Sequence, residues 1–116
     1  MLVWRKAHAL TLATYVTAKF PNDERFGLTV QMRRISVSIS AKLAEGCGKR
    51  GNGEFYRYLN IATASARELE YCILLARDLK FLDEDTYASL DEKIVEVRKM
   101  LGALICKVGD DSKLSA

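Results

Sequence analysis

The chain of 116 residues has one proline, one histidine and no apolar run long enough for a membrane span. A span needs about 20 mostly apolar residues, and a single proline, Pro21, is compatible with long helices because proline disrupts helix interiors. Arg5, Lys6 and His8 interrupt the start of the chain, which therefore lacks the apolar block of a signal peptide. These absences predict a cytoplasmic protein without a membrane partner.

Recognisable patterns of catalytic or metal-binding residues are also missing. Cys47, Cys72 and Cys106 are an odd number at wide spacing with no Cys-x-x-Cys, which is neither a zinc site nor a disulfide framework. Cys72 and Cys106 lie in apolar helical runs and are expected in the core, whereas Cys47 lies in a glycine-rich segment where it could be exposed. His8 has no partner nearby in sequence. We predict no catalytic residues, no metal and no cofactor, and hence not an enzyme.

The composition otherwise fits one globular domain, with 49% hydrophobic and 28% charged residues. The charge is unevenly distributed along the chain. Residues 1–58 contain ten Lys or Arg against four Asp or Glu, a net +6, and residues 59–116 contain eight against eleven, a net −3. The basic half could face a polyanion, or the two halves could pair within the fold or between subunits.

Apolar residues recur at helical spacing in four segments. The spacing predicts helices over about residues 2–20, 28–45, 52–80 and 84–108, the last two with heptad seams. Helix one carries two apolar lines, so its apolar face is broader than one packing partner requires. The pattern predicts an all-α, antiparallel up-down-up-down four-helix bundle over residues 1–109, with residues 110–116 as a flexible tail.

The segment between helices two and three holds four of the seven glycines, at positions 46, 48, 51 and 53. It resembles a phosphate-binding loop only superficially, because no strand precedes it and the Gly-Lys-Ser/Thr ending is absent. Gly46 is instead expected to end helix two and let the chain reverse. Lys49 and Arg50 lie in this corner, and Glu45 is expected to bond corner amides or pair with one of these cations.

Other side chains allow two interpretations each. Arg33 and Arg34 are either a solvated pair with local salt bridges, or contacts to phosphate or to another subunit. Arg57 lies in an aromatic cluster that either stacks on bases or is half-buried packing. Trp4 is either a core anchor or a subunit-interface anchor.

The combined residues resemble the four-helix bundle family of 23S rRNA intervening-sequence proteins, over about residues 2–105. The resemblance is carried by Val3-Trp4-x-x-Ala7, Phe20-Pro21-x-x-Glu24-Arg25-Phe26-Gly27-Leu28, Gln31-x-Arg33-Arg34, Ser38-Ile39-x-Ala41-x-Leu43-Ala44-Glu45-Gly46, Glu54-Phe55-x-Arg57-x-Leu59-x-Ile61-Ala62 and Ser65-x-x-Glu68-Leu69-Glu70. The chain departs from the family at Lys42, where asparagine is usual, and at Ala64, where glycine is common.

The resemblance implies a bacterial, ring-like homopentamer with suspected RNA or other nucleic-acid binding. On that basis, and because the N-terminal half is basic, we expect nucleic-acid contacts from six cations: Arg33, Arg34, Lys42, Lys49, Arg50 and Arg57. We expect an oligomer interface that includes Trp4, Arg33, Glu45 and Tyr56. A distantly related bundle is an accessory protein of a reverse transcriptase. It suggests the alternative of a protein-interaction module in which Arg33, Arg34, Glu45, Arg57 and Glu68 pair within or between subunits.

Overall fold

The computed structural model describes residues 1–19, 27–49 and 51–115, with side chains described through Gly109. It contains four helices: α1 (Leu2–Thr17), α2 (Leu28–Cys47), α3 (Asn52–Asp78) and α4 (Glu84–Ser115). No strand occurs in these ranges. The all-α four-helix fold predicted from the sequence is confirmed.

Each helix packs against its neighbours in sequence, and α1 also packs against α4. Two side-chain hydrogen bonds join α2 to α3, one between Gln31 and Glu68 and one between Ser38 and Ser65. Residue numbers therefore rise along one helix as they fall along the other. Lys6 near the start of α1 pairs with Glu96 of α4, whereas Thr17 at the end of α1 lies near Asp85 at the start of α4. These contacts are those of antiparallel neighbours in a bundle about 50 Å long.

The predicted apolar lines form the core. Met32, Ile39 and Leu43 of α2 are fully buried. The seams of α3 and α4 are buried along most of their length, and alanines in the α3 seam let helices approach closely. The buried seam residues are Leu59, Ala62, Ala66, Leu69, Ile73, Ala76, Leu90, Ile94, Val97, Leu101 and Val108.

Gly46 does not end α2, contrary to the prediction from the sequence; it lies inside the helix and is buried. A β-carbon there would lie 2.9 Å from the β-carbon of Tyr58 and 3.1 Å from Phe55 Cδ1. The glycine therefore permits close approach of α2 to α3, and the helix continues to Cys47. The reversal falls instead at Gly51, whose φ of 81° favours glycine.

The other predicted ends also shift. α1 ends at Thr17 rather than Phe20, because Ala18 adopts a ψ of 66°, which lies outside the helical region. α3 ends at Asp78 rather than Lys80, because Lys80 adopts a left-handed φ of 65° and the Phe81 amide bonds the Ala76 carbonyl.

α4 extends past its predicted end at Val108 as far as Ser115. Gly109 has Tyr56 against it, with 3.2 Å between a built β-carbon and Tyr56 Cε2, so this glycine also serves packing. The flexibility expected of residues 110–116 stays a prediction. Cys72 is buried and Cys47 exposed, but the expectation that Cys106 belongs to the core is wrong, because it lies on the outer side of α4.

The second apolar line of α1 is left uncovered. Leu12 is 56% exposed and Val16 68% exposed, and Tyr15 of the same helix and Val37 of α2, which line one pocket together, are also exposed. This surface, named here the α1–α2 apolar face, is larger than the isolated bundle needs.

Candidate nucleic-acid interface

Three of the predicted contact residues converge on one aromatic ring near the α2–α3 corner. The guanidinium carbon of Arg57 lies 4.6 Å from the centre of the Tyr58 ring, and the Nζ atoms of Lys49 and Lys42 lie 5.6 and 5.8 Å from it. Such distances are those of cation–π contacts, in which the ring face attracts positive charge. The three cations and the ring are called the Tyr58 cluster below.

Two carboxylates lie at the edge of the Tyr58 cluster. Glu45 Oε2 is 3.3 Å from Lys42 Nζ, so the expected pairing of Glu45 with Lys49 or Arg50 is wrong for Lys49. Glu54 Oε2 is 3.4 Å from Arg57 Nη2, and this hydrogen bond raises the pKa of Arg57. Three positive and two negative charges leave a local excess of one positive charge. No described carboxylate forms a salt bridge with Lys49.

The location of the cluster follows from the local sequence. Gly46 brings the end of α2 against Tyr58, and the short connection through Gly51 brings Lys49 back over the first turns of α3. Arg50 lies outside the described residues. Because Lys49 and Arg57 are exposed and Lys42 is half-buried, their charged groups are accessible from solvent.

Arg34 lies apart from the cluster, in a groove between α2 and α3. The groove is also lined by Gln31 and Ser38 of α2 and by Ser65 and Glu68 of α3. The Ser38 and Ser65 hydroxyls are 3.2 Å apart, and Gln31 Nε2 donates to Glu68 Oε1 at 3.3 Å. The groove thus offers hydrogen-bond donors on its α2 wall and a carboxylate on its α3 wall.

Arg33 is engaged within the chain. Its Nη2 donates to the Tyr15 carbonyl at 3.1 Å, and its guanidinium carbon lies 5.1 Å from the centre of the Tyr15 ring. These contacts connect α2 to the end of α1. The structure therefore does not bring Arg33 together with the Tyr58 cluster.

The remaining residues predicted for an oligomer interface also contact their own chain. Trp4 is half-buried, its Nε1 donates to the Ser40 carbonyl at 3.2 Å, and its ring stacks on His8 at 5.1 Å between centroids. Tyr56 is exposed and packs against Gly109. Trp4 thus lies against the core, and its interface role, like that of Tyr56, stays a prediction.

Neither a metal-binding group nor a membrane-spanning helix is found among the described residues. They contain no group of three or more His, Cys, Asp or Glu side chains placed to hold a metal ion. Within the same ranges, no helix combines the length and apolar content that crossing a membrane requires.

Sequence reasoning missed two features of this surface. It treated Tyr58 as part of an aromatic cluster with Arg57 but did not identify it as the shared partner of Lys42 and Lys49. It also did not identify the groove with Gln31 and Glu68 in it. Helical spacing shows which residues share one helix face, but these contacts join residues of different helices, and spacing carries no signal for them.

The comparisons with known proteins agree with this architecture. The family model described as 23S rRNA-intervening sequence protein matches residues 1–103. A solved crystal structure of a protein of unknown function from the S23 ribosomal protein family of Bacteroides thetaiotaomicron is similar in fold, with a TM-score of 0.82 and 26% sequence identity. The match covers 89% of this chain and 97% of that one. Among curated proteins, no significant match was found.

Proposed function

This chain belongs to the 23S rRNA-intervening sequence protein family, and from that premise we propose that it is a non-enzymatic, homo-oligomeric bundle that binds structured RNA through the Tyr58 cluster. The observation that carries the proposal is the convergence of Lys42, Lys49 and Arg57 on one ring. The cluster keeps a net positive charge beside Glu45 and Glu54, and Lys49 forms no salt bridge with a described carboxylate, so this accessible surface favours a polyanionic ligand.

The arrangement favours contact with phosphates over stacking on bases at this cluster. The ring of Tyr58 is half-buried and is already contacted by three cations, so its face is not open to a base. Arginine and lysine at such a surface bind phosphate oxygens, which position a nucleic acid without reading its sequence. Arg50, as a sequence neighbour of Lys49, is proposed as a fourth contact.

A second copy of the chain is the proposed occupant of the α1–α2 apolar face. Several large apolar side chains exposed on neighbouring helices are typical of an interaction site. Leu12 and Val16 lie on the outer side of α1, away from the core, so covering them requires another molecule. The pentamer implied by the family resemblance remains the proposed stoichiometry, and the proposed location is the cytoplasm.

The alternative is a protein-interaction module, of the kind that accompanies a nucleic-acid enzyme, whose charges serve assembly. The contact that favours it is Arg33 with Tyr15, since this predicted cation serves helix packing. Charge reversal at Arg57, which contacts the Tyr58 ring and is also one of the charges that the alternative assigns to assembly, separates the two proposals. Loss of the oligomer in light scattering supports the alternative, and an intact oligomer with weakened RNA binding supports the leading one.

The experiment that tests RNA binding is a titration of the full chain with a structured 23S rRNA fragment at about 50 and 200 mM salt. Release of counterions from neutralised phosphates makes such binding strongly salt-dependent. We expect tight binding at low salt that weakens steeply as salt rises. Binding that ignores salt, or no binding at low salt, contradicts the proposal.

A further inference from the structure

The groove between α2 and α3 has a combination of side chains that phosphate binding alone does not use. Its α2 wall carries the Arg34 guanidinium, which forms no salt bridge with any described carboxylate. Its α3 wall carries the Glu68 carboxylate, whose Oε1 accepts a 3.3 Å hydrogen bond from Gln31 Nε2. A carboxylate repels a phosphate, so a group with hydrogen-bond donors as well as acceptors fits this groove better than a phosphate does.

We propose that this groove binds one unpaired guanine of the RNA whose backbone lies on the Tyr58 cluster. The proposal rests on the proposed function, because it needs RNA at that cluster. Guanine presents O6 and N7 as acceptors, which arginine contacts with two hydrogen bonds. Its N1–H and N2–H₂ groups are donors on another edge, and one carboxylate accepts from both.

The walls and floor of the groove suit a base with these two edges. Arg34 and Glu68 lie on opposite helices, so a base lying between them meets a donor on one side and an acceptor on the other. Ser38 and Ser65 form the floor of the groove, and their small side chains make the groove deep between the helices. RNA-binding proteins characteristically read unstacked bases through such edge contacts.

The groove lies along the same pair of helices as the proposed phosphate site. Lys42 follows Ser38 by one helical turn, a rise of about 6 Å, and both side chains lie on the side of α2 that contacts α3. A strand with its phosphates on the Tyr58 cluster therefore passes next to the groove. Uracil lacks an exocyclic amino group, so it donates fewer hydrogen bonds to the Glu68 carboxylate than guanine does.

The test compares two RNA hairpins that differ in one loop nucleotide. One has a loop of uridines only, and in the other a single loop uridine is replaced by guanosine. Wild-type protein is expected to prefer the guanosine hairpin about tenfold, since a good bidentate contact discriminates between bases by about 1–3 kcal/mol. E68Q is expected to lose most of this preference while still binding the uridine hairpin. E92Q, which removes an exposed carboxylate on α4, is expected to keep it.

Three results would overturn the inference. Equal, salt-dependent binding of both hairpins by wild type removes the guanine site and leaves the proposed function standing. Loss of the oligomer in E68Q, measured by light scattering, assigns Glu68 to a contact between subunits. No binding of either hairpin at low salt contradicts the inference and the proposed function together.

Discussion

Gly46 of α2 lies so close to Tyr58 of α3 that a β-carbon on Gly46 would be 2.9 Å from the β-carbon of Tyr58. Real β-carbons do not approach this closely, so any larger residue at position 46 forces the two helices apart. The same contact sets the position of the ring around which Lys42, Lys49 and Arg57 gather. The packing of the corner and the arrangement of its cations are therefore linked.

Gly46→Ala is expected to destabilise the fold by about 1–3 kcal/mol, the usual cost of overpacking a well-filled contact. Gly53→Ala is the matched control, because a β-carbon at position 53 meets nothing within 4 Å. It is expected to leave stability unchanged or to raise it slightly by restricting the unfolded chain. Urea denaturation of both variants measures the difference, and a G46A variant as stable as wild type would show that the helices are not held this closely.

Substitutions at Tyr58 distinguish the contribution of the aromatic ring to RNA binding from that of its hydroxyl. Tyr58→Phe keeps the ring face and is expected to retain RNA affinity, whereas Tyr58→Leu removes the attraction that gathers the cations and is expected to weaken binding several-fold. Tyr71→Leu, at an exposed site elsewhere on α3, is the control. Fluorescence anisotropy with a labelled hairpin RNA measures the affinities. Equal affinity of Y58L and wild type, with both folded by circular dichroism, would dismiss the organising role of the ring.

The sequence was sufficient to predict the four helices and most of the buried core residues. The alternating steps of three and four in Leu90, Ile94, Val97 and Leu101 predicted a seam that is buried. Helix ends were less predictable, because a glycine stops a helix or permits close packing depending on what lies across from it. Gly109 faces Tyr56, and its role could be identified only once α3 and α4 were placed together.

The sequence was sufficient to predict which residues belong to the candidate site, but not how these residues are arranged. Lys42, Lys49 and Arg57 were identified from their charge, but they lie on two helices and a corner, and only tertiary packing places them around Tyr58. Arg33 was predicted from its charge in the same way, but tertiary packing places it away from this site. Its charge suggested a nucleic-acid contact, but it bonds the carbonyl of Tyr15 in α1, which no local pattern indicates.

Charge on the α1–α2 apolar face is expected to disrupt self-association. Leu12→Glu with Val16→Glu places two carboxylates where the proposed second copy packs, and a buried unpaired charge is strongly unfavourable. Size-exclusion chromatography with light scattering should show a smaller species than wild type. Leu79→Glu, at another exposed leucine, should leave the mass unchanged. A wild-type protein that is monomeric at micromolar concentration would remove the basis for this expectation.

The start of α4 has a cap whose strength depends on pH. The backbone N–H of Thr86 donates to Asp83 Oδ1 at 2.7 Å, and this bond is the main cause of the lowered pKa of Asp83, with the Thr86 hydroxyl also contributing. A carboxyl whose pKa is lower in the folded state stabilises the fold above its unfolded pKa of about 3.9. That stabilisation is lost as pH falls through the folded-state pKa.

Asp83→Ala is therefore expected to lower the Tm by a few degrees at neutral pH. The difference from wild type should shrink as the pH is lowered below about 4. Thermal denaturation followed by circular dichroism across this range measures it, with Asp91→Ala, farther along α4, as the control. A Tm difference that stays constant with pH would show that the cap does not act through the carboxylate.

The most direct test of the account is the salt dependence of RNA binding by a charge-neutralised cluster. In a plot of log affinity against log salt, replacing Lys42, Lys49 and Arg57 by glutamine should reduce the slope by about 0.7–0.9 for each phosphate that the protein no longer neutralises. A variant with Lys19, Lys93 and Lys99 replaced by glutamine has the same net charge and should keep nearly the wild-type slope. An unchanged slope in the cluster variant, or an equal reduction in the control, would contradict binding at the Tyr58 cluster.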